Sequence, residues 1–353
     1  MPLRCSLVAA LLLVAACPAA AAQGASVFPD PGLASPRFAF GTGRQVRGGA
    51  EIAPLLPAIP GPASGWQVLM WHRRHYLHPG RMSENDPATT DPRYGPARYA
   101  FTARGGGGHL WIYRDHAAHR WVYDIFEANG RLDERGGANI FLSARPIGGE
   151  VRMDHLLTYH VDARVSRAYA SYDTARAQRT GVVAANAVTG FVVWFVDPAT
   201  RRIVSVFLQK SIVRNRPGPI SYRKCLIGPR ATVVVFNQTQ PGDPTLPFRP
   251  STGPLQPLDY VLNRLLCPLI AAPLPCRERG GGAVTLRLPA SARNFANWYL
   301  RSIYIGDETQ VEDHRRGARD RGPQGSIGLG IQIAGLTVRR LPQRARYGTV
   351  CGG

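Results

Sequence analysis

Lysine is nearly missing from this chain: Lys210 and Lys224 are the only two, although Lys and Arg together number 43. The basic charge is therefore almost all arginine, which stays protonated and presents a planar fork of donors. Acidic residues are also scarce, 23 against those 43, so the formal net charge is +20. A field of that sign attracts polyanions and anionic envelope surfaces over a screening length of roughly 8–10 Å. Nucleic acid is one such polyanion, but no helix-turn-helix, zinc-finger or RNP-type aromatic motif accompanies the charge, and nucleic acid is set aside as a partner. Past the first residues no apolar run approaches the roughly eighteen positions of a transmembrane helix. Absent too are a G-x-S-x-G elbow, a phosphate loop, a dinucleotide fingerprint and H-E-x-x-H, which leaves no cofactor to expect. The glycine runs Gly105–Gly108 and Gly280–Gly282 precede strands and not helices, so they read as turns and not phosphate cradles.

What is present begins with an export signal. Arg4 supplies a short positive region and Leu7–Ala16 an apolar run of ten, long enough for a signal peptide and too short to span a bilayer. Small residues at Ala20 and Ala22 place the cut before Gln23, so residues 1–22 are expected to be removed and the protein to be periplasmic or secreted. The alternative is a lipid anchor on Cys17, because Val14-Ala15-Ala16-Cys17 resembles a lipoprotein box. Of six cysteines, Cys225, Cys267, Cys276 and Cys351 remain beyond that segment, and an even number in an exported protein suits two disulfides. The short Pro-rich segment between Cys267 and Cys276 favours their pairing, which leaves Cys225 with Cys351. The spacings contain no C-x-x-C pair and no completing histidine, so no metal is expected there.

Residues 23–64 are rich in Pro, Gly and Ala with little periodicity, as in an extended leader. From about residue 65 to 353, short apolar runs alternate with Gly/Pro/Asn/Asp clusters, which predicts a single all-β domain. Strands are expected at 66–72, 109–115, 121–128, 139–146, 151–171, 190–197, 202–210, 231–237, 284–289, 297–306 and 327–341. Only Leu255 to Pro268 has helical spacing. From Glu150 to Ser166 the even positions are polar except Leu156 and the odd ones largely apolar, over a length that requires a bend or bulge. Glu150, Arg152, Asp154 and His160 on that polar face are candidates for lining a concave sheet on which an extended polymer lies. Tryptophans stack on the apolar faces of sugars, and Trp71 and Trp111, bordered by polar residues, are the candidates for that role. His72, His75 and His78, like His116 and His119, read as loop histidines and not as a metal site.

One family resemblance stands in the last third. Asn297-Trp298-Tyr299-Leu300-Arg301-Ser302-Ile303-Tyr304-Ile305-Gly306-Asp307-Glu308, followed by Gly325 to Ile333 and Leu336 to Val338, resembles the end of the concanavalin-like jelly rolls, most closely glycoside hydrolase family 12. The resemblance covers about forty residues and implies a two-sheet antiparallel jelly-roll sandwich, with at most one or two short helices and a glycan cleft. It also implies Glu308 as general acid/base. Retaining hydrolysis needs a second carboxylate roughly 5–5.5 Å away. The family's nucleophile strand has its counterpart at Gly190 to Trp194, with glycine in the place of the glutamate. Asp197 lies further along that strand and replaces it only in a shifted register, with Glu150 and Asp154 as other second carboxylates. The favoured expectation is an exported, lectin-like protein binding an acidic or envelope polysaccharide. The alternatives are a glycan-cleaving enzyme, either a hydrolase using Glu308 or a polysaccharide lyase, and a structural or interaction module.

Overall fold

A computed structural model describes residues 24–41, 56–71, 77–129, 136–172, 181–215, 220–228, 232–239, 244–278, 281–313 and 325–352. The first strands are β1 (Ala25–Ser26), β2 (Ala39–Phe40), β3 (Trp66–Trp71), β4 (Met82–Ser83), β5 (Asp86–Asp91), β6 (Gly95–Ala97) and β7 (Tyr99–Thr102). Next come β8 (Gly108–Asp115), β9 (Arg120–Asn129), β10 (Gly136–Ala144), β11 (Val151–Arg152), β12 (His155–Tyr172), β13 (Gly181–Val196) and β14 (Ile203–Arg214). The last are β15 (Ile220–Ile227), β16 (Thr232–Thr239), β17 (Gln256–Val261), β18 (Leu274–Glu278), β19 (Ala283–Leu286), β20 (Trp298–Asp313) and β21 (Gly325–Arg344). Two five-residue helices, α1 (Cys267–Ala271) and α2 (Tyr347–Cys351), complete the elements used below. Among the described residues no helix is long and apolar enough to cross a membrane.

The strands form an eight-stranded sheet, ordered β17-β12-β21-β9-β8-β7-β4 with β1 on β21. They also form an eleven-stranded sheet, ordered β19-β18-β15-β16-β14-β13-β20-β10-β3-β2 with β11 on β20. A small β5–β6 ribbon stands apart. This is the all-β, two-sheet jelly-roll sandwich that the sequence implied, with parallel pairs at β14–β16, β15–β18 and β2–β3 in an otherwise antiparallel arrangement.

The layers follow from period-two patterning. Along β21, Ile327, Leu329, Ile331 and Ile333 are buried in the core. Phe191, Val193 and Phe195 of β13 and Ile303 and Ile305 of β20 enter the same core from the other sheet. Tyr159 of β12 meets Phe191 edge-on at 5.3 Å between ring centres, which ties the two inner faces together. The long β12 is bent as its length requires: its register against β21 shifts three times. Beside one shift stands Gly335 at φ +65°, a bulge geometry that glycine adopts without strain.

Part of the Pro/Gly/Ala-rich stretch packs into this core despite its sparse regular structure. Phe28, Leu33, Phe38 and Phe40 are buried, and the Tyr123 hydroxyl donates to the Leu33 carbonyl at 2.7 Å. The signal segment lies outside the described residues.

Two expectations are corrected. Leu255 to Pro268 is helical only in its second half: β17 covers its first half, with Leu258 and Tyr260 buried alternately, and a 3-10 helix over Leu262–Leu266 leads into α1. The disulfides join Cys225 to Cys276 and Cys267 to Cys351, not Cys267 to Cys276 and Cys225 to Cys351. The reason is topological. β15 and β18 run parallel as neighbours, with Leu226 opposite Arg277, so the preceding Cys225 and Cys276 stand side by side with Cα atoms 4.5 Å apart. Cys267 is carried by α1 to the C-terminal α2, which it contacts through Cys351.

Candidate functional site

Successive residues of β20 face opposite ways. Ile303, Ile305, Asp307 and Thr309 point between the sheets and are fully buried. Tyr304, Gly306 and Glu308 therefore point to the outer face of the eleven-stranded sheet. The register builds that face in rows. Glu308 is opposite Asn139 of β10 on one side and Asn186 of β13 on the other. The same row continues through the backbones of Trp71 and Arg214. Two residues along, Gly306 is flanked by Phe141 and Val188. The third row runs Ser143, Tyr304, Gly190, Gln209. Asn139, Phe141 and Val188 of this face are buried although Phe141 and Val188 do not belong to the cluster between the sheets, so this face is a sunken floor and not an open surface.

Burial raises the Glu308 carboxyl above its ordinary pKa, with no charged neighbour as a cause. That is the direction a general acid requires. Among the described residues no second carboxylate stands opposite or diagonal to it: the opposed residues are asparagines, and the diagonal ones are Gly137, Phe141, Ala184 and Val188. The position matching the family's nucleophile, Gly190, is covered by the Tyr304 ring. A Cβ placed on Gly190 would lie 2.0 Å from Tyr304 Cζ. Tyr304 packs edge-on against Phe141 at 5.3 Å. Burial raises its hydroxyl well above the usual phenol value; a hydrogen bond with Gln209 opposes the rise and the Glu308 charge adds to it.

The residues singled out from the sequence are distributed over both sheets. Asp197 stands eleven residues along from Asn186, the partner of Glu308, which at roughly 3.3 Å per residue is about 36 Å. It occupies an exposed turn, bonded to Thr200 at 2.7 Å and Ser291 at 3.3 Å. Asp154 belongs to an ion cluster on the eight-stranded sheet with His155, Arg340 and Arg344 at 2.9, 2.8 and 2.6 Å. Desolvation pushes its pKa up, but the His155 hydrogen bond and the arginine charges outweigh that and hold it low. His160 lies on the same sheet between Asp259 and Asp162, at 2.9 and 3.4 Å. Neither neighbours Glu308.

Trp111 is also on the eight-stranded sheet and is buried, 8% exposed. It stacks on His109 at 3.6 Å beneath Arg167, and its Nε1 donates to Thr102. Trp71 has its main chain in the Glu308 row. His72 and His75 lie outside the described residues, while His78 caps a turn by accepting from the Gly80 amide. Among the described residues no group of three His, Cys, Asp or Glu side chains is placed to hold a metal.

Glu150 and Arg152 do reach the eleven-stranded sheet, because β11 pairs with β20. There they meet residues that the sequence reading left aside. Arg152 is opposite Tyr299, which is opposite Trp194. Arg152 donates to the Tyr299 hydroxyl at 3.3 Å. Arg301 sits over the Trp194 ring, its central guanidinium carbon 3.7 Å from the ring centre, and forms an ion pair with Glu150. Arg301 stands beside a register shift in the β13–β20 pairing, between Val192 and Val193, which is what re-aims its side chain over the indole. The outer face thus runs from an arginine–aromatic end at Trp194 to the Glu308 row, with Tyr304 between them.

The sequence matches no known family profile and no curated protein. Solved structures resemble the chain weakly. The endoglucanase Cel12A from Rhodothermus marinus is 13% identical, with 76% of this chain and 98% of that one covered at a TM-score of 0.32. The family 11 xylanase from Neocallimastix patriciarum is 10% identical over 69% and 90%, at 0.30. The endo-1,4-β-glucanase CelB2 is 10% identical over 72% and 95%, at 0.29. Similarities of this size establish neither family nor activity.

Proposed function

We propose that this is an exported glycan-binding protein, lectin-like in action, whose polysaccharide lies along the outer face of the eleven-stranded sheet. The observation that carries the reading is the make-up of that floor. Tyr304 offers ring surface, Asn186 and Gln209 offer amides, all three partly exposed, and a single carboxyl, Glu308, stands among them with no second one beside it among the described residues. Sugars are held by such combinations of ring stacking and fixed hydrogen-bonding groups. Cleavage by the two-carboxylate route needs a second carboxylate, and among the described residues none stands opposite or diagonal to Glu308. Two disulfides among the described residues are in keeping with an oxidising, extracytoplasmic setting.

A second reading, glycan cleavage, is favoured by one observation, the raised pKa of Glu308. One experiment separates them. Purified protein is mixed with neutral and acidic polysaccharides, and binding and newly formed reducing ends or unsaturated ends are measured in the same samples. Binding without new ends is expected. New ends that vanish in Glu308→Gln would replace the lectin reading by an enzyme, and absence of binding to every polymer would remove the glycan reading altogether.

A further inference from the structure

The arginine–aromatic end of the floor has a composition that a neutral sugar does not call for. Arg152 and Arg301 gather there beside the carboxylate of Glu150. Arg145 is exposed and near enough to Arg301 for its charge, after desolvation, to lower the Arg301 pKa. Arg301 is about one-third exposed, at 31% for its side chain, while Glu150 is at 36%. Each of two guanidiniums stands against a ring: Arg301 over Trp194 with its central carbon 3.7 Å from the ring centre, and Arg152 5.6 Å from the Tyr299 ring centre with a hydrogen bond to its hydroxyl. Stacking fixes the plane of a guanidinium while leaving its edge N–H groups pointing outward. Among the described residues Arg152 and Arg301, two cations, stand beside the one carboxylate of Glu150 and leave positive charge in excess, and a guanidinium fork receives a planar carboxylate in two parallel hydrogen bonds.

We infer that Arg152 and Arg301, held on Tyr299 and Trp194, form a subsite for the carboxylate of an acidic sugar, so that the polymer carried on this face is a uronate-containing polysaccharide. This rests on the glycan reading above and names its substrate class. Glu150 occupies part of the Arg301 fork in the free protein and is the group the sugar carboxylate displaces. The ligand is drawn to the Trp194 end by charge, and its neighbouring residues extend over Tyr304 toward Glu308.

The test compares a polyuronate with the same polymer after chemical reduction of its carboxyls to alcohols, by calorimetry at low and moderate salt. Wild type is expected to bind the polyuronate about tenfold more tightly, the size of one charge-assisted hydrogen-bonded contact. Arg152→Gln with Arg301→Gln should erase that preference while the reduced polymer still binds. A loss of function by misfolding cannot produce the companion result: Glu150→Gln, which frees the fork and removes a repelling charge, should tighten polyuronate binding several-fold and leave the reduced polymer unchanged. Equal wild-type affinity for the two polymers would overturn the subsite and keep the glycan reading, and binding of neither would overturn both. Inorganic polyphosphate bound as tightly as polyuronate, and strengthened equally by Glu150→Gln, would overturn the assignment to an acidic sugar.

Discussion

Replacing Gly190 by alanine tests the packing that closes the nucleophile position, because the expected sign opposes that of backbone propensity. Glycine inside a strand is less favourable than alanine by roughly 0.5–1 kcal/mol, so an open site would be stabilised by the change. Here the added Cβ would lie 2.0 Å from Tyr304 Cζ, 2.2 Å from Cε2 and 2.4 Å from the hydroxyl oxygen. The ring has little room to give way, since Phe141 meets it edge-on with planes at 84° and Gln209 bonds its hydroxyl. Overpacking of this kind costs about 1–3 kcal/mol, and losing the aromatic pair adds about 0.5–1.5 kcal/mol. The two together exceed the propensity gain and give a net destabilisation of about 0.5–4 kcal/mol. Urea unfolding of wild type, Gly190→Ala, Tyr304→Ser and the double variant measures it. Because the serine vacates the space the methyl needs, the double variant should be more stable than the sum of the single changes allows, with a coupling of about 1–3 kcal/mol. A Gly190→Ala protein as stable as wild type, or a double variant that is simply additive, would refute the placement of the ring.

Asp307→Asn is expected to stabilise the protein, and more so at pH 7 than at pH 4. Desolvation, with the charges of Asp124 and Glu127, raises the Asp307 pKa far above its ordinary value, against a minor opposing effect of the Ile331 amide. The unfolded chain therefore ionises first, and stability falls as pH rises from the unfolded pKa toward the folded one, by at most about 1.4 kcal/mol per pH unit for one group. Chemical unfolding of both proteins across pH checks this, and parallel curves would refute it. Non-reducing peptide mapping should recover Cys225 linked to Cys276 and Cys267 linked to Cys351. Cys267→Ser with Cys351→Ser opens a long loop and should lower stability by about 2–5 kcal/mol in equilibrium unfolding; a recovered Cys267–Cys276 peptide would contradict the fold near α1.

The sheets were legible because strands carry their burial pattern in short windows. Ile327, Leu329, Ile331 and Ile333 alternate with small or polar residues, and the same residues line the core. Less visible was anything that depends on which strand lies next to which. Cys225 and Cys276 are partners because β15 and β18 are neighbours, a non-local fact that chain proximity between Cys267 and Cys276 disguised. The stretch from Glu150 to Ser166 read as one polar face, yet Val151–Arg152 pairs with β20 while His155–Tyr172 pairs with β21 and β17. One polar stripe is thus divided between two sheets. The first half of Leu255 to Pro268 misled because Leu258 and Tyr260 fit a strand period as well as a helical one over so short a run. The Arg301–Trp194 contact left its mark in sequence as a tryptophan and an arginine over a hundred positions apart, and only a register with a shift joins them.

Two adjacent acids on β20 divide the roles open to a carboxyl here. Asp307 is fully buried between the sheets, so its raised pKa acts on stability. Glu308 is raised by burial too but faces the floor where ligand is proposed to lie, so its protonation state acts on binding. A carboxyl flanked by Asn139 and Asn186 donates a hydrogen bond to a sugar oxygen while protonated and only accepts once ionised. Burying the ionised form beneath a ligand deprives it of water as well. Affinity for a neutral polysaccharide, which does not itself titrate, should therefore fall as pH rises through the raised pKa of Glu308. Glu308→Gln keeps a donor at every pH, so its affinity should match the low-pH wild type and stay flat. Calorimetric titration at a series of pH values gives the answer: a wild-type affinity that rises with pH, or one that falls equally in the glutamine variant, would place the titrating group elsewhere and leave Glu308 without a part in holding the ligand.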